Sequence, residues 1–245
     1  MRYILILLFV FSIANAKDEK QKLTIGLGPF MQSQPYKGVK DKIIASPVIF
    51  FDNSYIYIRW SRAGIYFLGD KQDDYAWGFS FTAQPRIYGY ESDDIIGMQE
   101  RETTFEGGLA FSAKTDKAYI EIMALTDVLD RYNSWLLKTE IGYDIKLGDF
   151  SLYPSLIFVY QSDDFMDYYY GVKKEEELGA RQEYIADAGL QLGVQTYIKY
   201  PFTSNLSALI NLRVDRLPNE ATNSPIVNEN FIYSGLASLI YSFEY

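Results

Sequence analysis

Acidic side chains crowd one stretch of the sequence: Asp163, Asp164 and Asp167 lead into Tyr169-Tyr170-Gly171-Val172, and Glu175, Glu176 and Glu177 follow. Paired carboxylates can act as general acid and base, and several convergent oxygens can hold Ca²⁺ or Mg²⁺. The spacing here matches no EF-type loop. Such crowding reads most simply as a solvated loop, with a weak cation site bridging lipopolysaccharide, or catalysis, as alternatives. The rest of the catalytic repertoire is thin. With no histidine and no cysteine in 245 residues, Ser-His triads, His-assisted acyl transfer and thiol nucleophiles are excluded, as are His-rich zinc sites. The sequence therefore points away from an enzyme, and it suggests no cofactor or metal.

The first residues give an address. One basic residue, Arg2, precedes the apolar run YILILLFVFSI and the small-residue pattern Ala14-Asn15-Ala16. This is the layout of a secretory signal peptide cleaved before Lys17, over residues 1–16, and the run is too short for the roughly 20 apolar residues of a spanning helix. Removing Arg2 takes away one positive charge, so the formal net charge of −9 becomes −10. An acidic balance argues against nucleic acid as a partner, because phosphate binding needs clustered Lys and Arg. Without cysteine there is neither a disulfide framework nor a lipid-modified N-terminal Cys. No later segment has the apolar continuity of a membrane helix, which leaves a closed barrel as the way to cross a bilayer.

The pattern along the chain supplies that barrel. From Trp135, the residues Trp135, Leu137, Thr139, Ile141 and Tyr143 alternate with Lys138, Glu140, Gly142 and Asp144. From Glu183, alternate positions are again apolar, with Leu190, Leu192 and Val194 opposite Gln191, Gly193 and Gln195. Period two sustained beyond the usual strand length of about 5–6 residues suits a tilted transmembrane strand. Short turns near 52–53, 115–116, 148–149 and 201 alternate with long polar connections at 91–102, 162–182 and 217–229, the asymmetry of an outer-membrane barrel. Twelve antiparallel strands over residues 17–245 are predicted, near 22–32, 42–51, 54–61, 62–69, 75–89, 103–114, 117–128, 134–147, 149–161, 183–200, 202–216 and 229–245. If SYIYIRWSRAGIYFLG forms one strand instead of two, the even-number rule reduces the count to ten. In the last strand, Leu239, Tyr241, Phe243 and Tyr245 face lipid and form the C-terminal signal read by barrel assembly machinery. Arg86, Glu106, Glu140, Gln191, Arg213 and Asp215 fall on the lumen face, where they neutralise one another or line a pore. Leu190 and Ile141 are assigned to the lipid face near mid-membrane.

Several short motifs have a familiar arrangement. Gly26-Leu27-Gly28 is followed by Pro35-Tyr36-Lys37-Gly38; Ile96-Gly97-Met98 comes in the middle; Tyr169-Tyr170-Gly171-Val172 and Ser224-Pro225-Ile226-Val227 come later. Together they resemble the MipA/OmpV family of outer-membrane proteins, the MltA-interacting proteins. Family members usually finish Y-x-F, whereas this chain runs past Phe243 to Glu244-Tyr245. The resemblance implies a Gram-negative outer-membrane barrel surrounded by lipid and lipopolysaccharide. It also implies one of three roles: a scaffold joining a periplasmic lytic transglycosylase to a peptidoglycan synthase, a small pore or channel, or a surface adhesin. From the residues alone, Tyr169 and Tyr170 read as an interfacial aromatic belt or a partner contact, and Pro225 as a loop-shaping residue.

Overall fold

The computed structural model describes residues 21–245 apart from Ser54 and Asp73. The cleavage site expected at Ala14, Ala16 and Lys17 lies outside the described residues. Twelve strands follow in order: β1 (Lys22–Gln32), β2 (Lys42–Asp52), β3 (Ile56–Arg59), β4 (Arg62–Lys71), β5 (Tyr75–Arg86), β6 (Thr104–Thr115) and β7 (Ala118–Asp127). Then come β8 (Trp135–Tyr143, resuming after Asp144 as Ile145–Leu147), β9 (Phe150–Gln161), β10 (Gly189–Pro201), β11 (Leu206–Arg216) and β12 (Phe231–Glu244). Each strand pairs antiparallel with the next, and β12 returns to β1 in the register Lys22↔Glu244 to Gln32↔Ser234. The sheet is closed, with an even strand count and with the start of β1 and the end of β12 side by side at the short-turn end.

Side-chain alternation decides which way the barrel faces. Outward positions are large and apolar: Leu27, Phe81, Leu156, Leu212 and Leu239 are all more than half exposed. Inward positions include Glu106, Glu121, Asn211 and Asp215, all at most 4% exposed. A water-soluble sheet would bury its apolar face; this one buries carboxylates and presents leucine to its surroundings, as a hydrocarbon solvent requires. Among the described residues no helix is long and apolar enough to cross a membrane.

Closure depends on Gly26 and Gly28. A Cβ on Gly26 would collide with the carbonyl oxygen of Leu239, and one on Gly28 with that of Ala237. The seam between β1 and β12 thus brings backbone against backbone where only glycine fits.

Twelve strands form because the ambiguous segment folds back on itself. Trp60 takes a left-handed φ of 57° and turns the chain between β3 and β4. The sequence reading is corrected at several points of the wall and its connections. The strand expected from residue 183 starts at Gly189, because Tyr184 instead bridges to Val172. The long polar connection expected over 162–182, read as a solvated loop, contains a helix, α1 (Asp163–Tyr170), and a second short helix, α2 (Asn219–Thr222), lies in the last loop. Leu190 is the second residue of β10 and sits at the rim of the wall, not mid-membrane.

Candidate functional site: a cap of buried tyrosines

The long connections meet at one end of the barrel and close it. Helix α1 starts with Asp163 and Asp164 in its first turn, where carboxylates complement the helix dipole. It ends at Gly171, whose amide donates to the Asp167 carbonyl at 2.8 Å. Its Phe165, Met166, Tyr169 and Tyr170 share one face and are at most 1% exposed. That face descends into the mouth. Phe165 packs edge-on against Tyr132 at 4.9 Å, Arg86 of β5 lies over the Phe165 ring at 4.8 Å, and Tyr88 meets Tyr169 at 5.2 Å. Tyr88 and Tyr170 share a hydrogen bond through their hydroxyls.

Motifs scattered through the sequence converge here. Tyr36 packs on Tyr90 at 4.7 Å and on Tyr170 at 6.1 Å. Pro35 accepts a hydrogen bond from Asn228 N at 3.0 Å, and Lys37 Nζ donates to the Pro225 carbonyl at 2.8 Å. Ser224 Oγ donates to the Tyr170 carbonyl, and Val172 pairs with Tyr184. Gly97 adopts a φ of +79°, while Gly38 adopts +80°, turns that L-residues disfavour. Tyr169 and Tyr170 are therefore neither a belt at the membrane surface nor exposed to a partner; they are the plug itself. Burial pushes the Tyr88, Tyr90, Tyr132, Tyr169 and Tyr170 phenols up, so each stays neutral.

One ion pair locks the cap from above. Arg101 Nη2 lies 3.0 Å from Glu176 Oε2, with both side chains at most 4% exposed. Arg101 also donates to the Tyr168 and Gln99 carbonyls, and Glu176 accepts from the amides of Gln99 and Lys173 at 2.9 Å. Burial alone would raise the Glu176 pKa. The Lys173 amide, Arg101 and the Gln99 amide outweigh it, and the pKa is lowered. Glu176 is thus no solvated loop charge. The other carboxylates of the acidic stretch disperse: Asp163 and Asp164 are exposed, Asp167 accepts from the Ala186 amide, and Glu177 from that of Glu183. Among the described residues no cluster of three or more acidic groups could hold a metal ion.

Below the cap, the polar lumen residues occur in paired sets. Arg86 and Gln84 both bind Glu106, which also accepts from Tyr132. Arg213 clasps Asp215 through two donors at 2.6 and 2.7 Å, and Gln191 joins them at 3.0 Å. Glu140 accepts from Tyr119 at 2.6 Å and lies 3.7 Å from Lys138. Arg59 and Arg62 converge on Glu121 at 2.9 and 2.5 Å. Such pairing satisfies buried charge, and the Arg59 and Arg62 contacts with Glu121 reach across the lumen from β3 and β4 to β7. The Arg59, Arg62 and Glu121 set and the Arg101 and Glu176 pair did not stand out in the sequence. The spacing of Phe165, Met166, Tyr169 and Tyr170, at helical intervals inside a supposed loop, was the available signal for α1.

Comparison with known proteins agrees with this architecture. The family model described as MltA-interacting protein MipA matches residues 25–243. The putative outer membrane protein YiaT of Escherichia coli is 25% identical, covering 93% of this chain and 94% of its own length. The MltA-interacting protein of Escherichia coli is 24% identical over 92% of this chain and 91% of its own. Outer membrane protein OmpV of Vibrio cholerae is 25% identical over 66% of this chain and 63% of its own.

Proposed function

The chain belongs to the MltA-interacting protein family of Gram-negative outer-membrane barrels, and from that premise we propose that it is a closed structural scaffold for cell-wall enzymes. The observation that carries the proposal is the plugged mouth: α1 seats Phe165, Met166, Tyr169 and Tyr170 in the barrel opening. A filled mouth suits an anchor better than a conduit. The relative named MltA-interacting protein supports a periplasmic partner of the lytic transglycosylase class, with a peptidoglycan synthase as the second enzyme brought to it. Docking would fall on the short periplasmic turns.

A channel is the second reading, favoured by the polar lumen wall that includes Gln191 and Asp215. The two separate in one experiment. The tagged full-length protein is crosslinked in its native envelope and purified under denaturing conditions. Recovery of a lytic transglycosylase together with a synthase supports the scaffold. Loss of neither enzyme's envelope retention on deleting the gene, with no crosslinked enzyme recovered, would refute it.

A further inference from the structure

The barrel wall has a gap in its outer half. Strand β3 pairs with β2 only at Phe50, Phe51 and Asp52, and the chain then turns at Trp60, whose amide donates to the Ile49 carbonyl at 2.8 Å. Above that turn, Lys42–Val48 has β1 on one side and, among the described residues, no strand on the other. Across the gap, β5 pairs with β4 only as far as Ala83, so Gln84, Pro85 and Arg86 are also unpaired on that side. Three inter-strand spacings separate β2 from β5 at the hairpin, or roughly 14 Å, and the opening is bounded at its outer end, where Gln32 Nε2 donates to the Ile87 carbonyl at 3.2 Å.

The exposed edges are built not to close. The Asn53 amide donates to the Ile56 carbonyl, which sets the alternation of β2 so that residues 43, 45, 47 and 49 direct their backbone groups toward the gap. Pro47 therefore removes a donor there, and its carbonyl accepts from Ser46 Oγ at 3.3 Å. The Gln72 amide donates to the Tyr75 carbonyl, which sets β5 likewise, so Pro85 removes a donor from the facing edge. Proline on both edges opposes pairing with a strand from another chain.

The surface behind the gap is apolar, unlike the charged lumen elsewhere. Phe30, Val48, Leu209, Leu236 and Ile240 form a buried cluster on the inner wall, with Trp60 packed against it. The Trp60 ring meets Phe30 at 5.5 Å and hydrogen-bonds Ser46 Oγ at 3.0 Å, which places it inside the wall. Ile44 shares the inward register of Ser46 and Val48 yet is 39% exposed, and its neighbour Ile43 is 69% exposed. From these features we infer that the gap is a lateral portal that admits an alkyl chain of the surrounding outer-leaflet lipid and seats it against Ile44, Phe30 and Trp60.

Brominated lipid chains quench tryptophan on contact, which makes Trp60 the reporter. The full-length protein carrying Trp77→Phe and Trp135→Phe, with Trp60 as its last tryptophan, is folded into vesicles of phosphatidylcholine brominated on its acyl chains. A matching protein keeps only Trp135, which is 51% exposed on the outer face. The portal predicts that Trp60 loses most of its emission, to nearly the extent of Trp135, and that Ile44→Arg restores most of it. Ile44→Gln replaces the arginine variant if circular dichroism shows that the latter does not fold. The inference is overturned if Trp60 emits equally in brominated and plain vesicles. Quenching that the Ile44 variant leaves unchanged, or that only free brominated fatty acid produces, overturns it too.

Discussion

At the periplasmic end, the turns over 116–117, 148–149 and 202–205 are short and reverse the chain, and Gly148 has nothing near enough to touch an added Cβ. At the outer end, the connections after β1, β5, β7 and β9 pack Tyr36, Tyr88, Tyr90, Tyr132 and Tyr170 into a continuous core, joined by Ile226 and Val227 from the connection after β11. The same chain thus has one end specified by tight turns with local side-chain bonds, such as those the Thr115 and Thr203 hydroxyls accept from the Ala118 and Leu206 amides, and another specified by side-chain packing. Stability added outside the wall is concentrated at the cap, and substitutions should separate the two ends sharply.

The largest expected effect is at the cap lock. Arg101→Ala leaves the Glu176 carboxylate buried without its partner, a loss of about 3–5 kcal/mol. Amide exchange at residues 165–172 should accelerate by roughly a hundredfold or more, while exchange in β10 and β11 stays slow. Equal acceleration in cap and wall would break the comparison, because the two would then open together.

Next come substitutions in the wall between the ends. Ile141→Arg places a guanidinium on the lipid face in the middle of β8 and should cost about 2–4 kcal/mol, whereas Leu190→Arg, at the rim, should cost about 0–1 kcal/mol. Denaturant midpoints in lipid vesicles give the ordering. An equal cost at both positions would mean that depth has been misassigned.

Acid should then loosen the cap. The folded pKa of Glu176 lies below its unfolded value, so its contribution is present above the unfolded carboxylate pKa and is lost as pH falls through the folded one. Protease cleavage within 163–183 should therefore increase below the carboxylate range and not at neutral pH, with Glu176→Gln showing a flatter profile.

The smallest effects compare two glycines. Gly97 and Gly148 both have positive φ, but an added Cβ at Gly97 would lie 3.0 Å from Arg181 Nη2. Gly97→Ala should cost about 1–2 kcal/mol, while Gly148→Asn should be nearly neutral because Asn tolerates this conformation. Thermal midpoints of cap exposure and of the barrel measure them separately.

The wall could be read from the sequence because hydrocarbon on one side and polar groups on the other force period two; Trp135 to Tyr143 shows it without ambiguity. Turn positions followed from the same alternation. The cap was hidden because its tyrosines come from four separate connections and have no common period. Tyr36 and Tyr170 are 134 positions apart in sequence, yet their rings lie 6.1 Å apart. The wall gap was equally illegible: Pro47 and Pro85 gain meaning only when the short β3 places their edges opposite one another.

The central claim is that the mouth is shut, and ion flow through single molecules in a planar bilayer tests it most directly. The full-length protein should show no stable openings at moderate voltage, while deletion of residues 163–170 should bring frequent or noisy ones. Steady, ohmic openings of the unaltered protein would contradict the account.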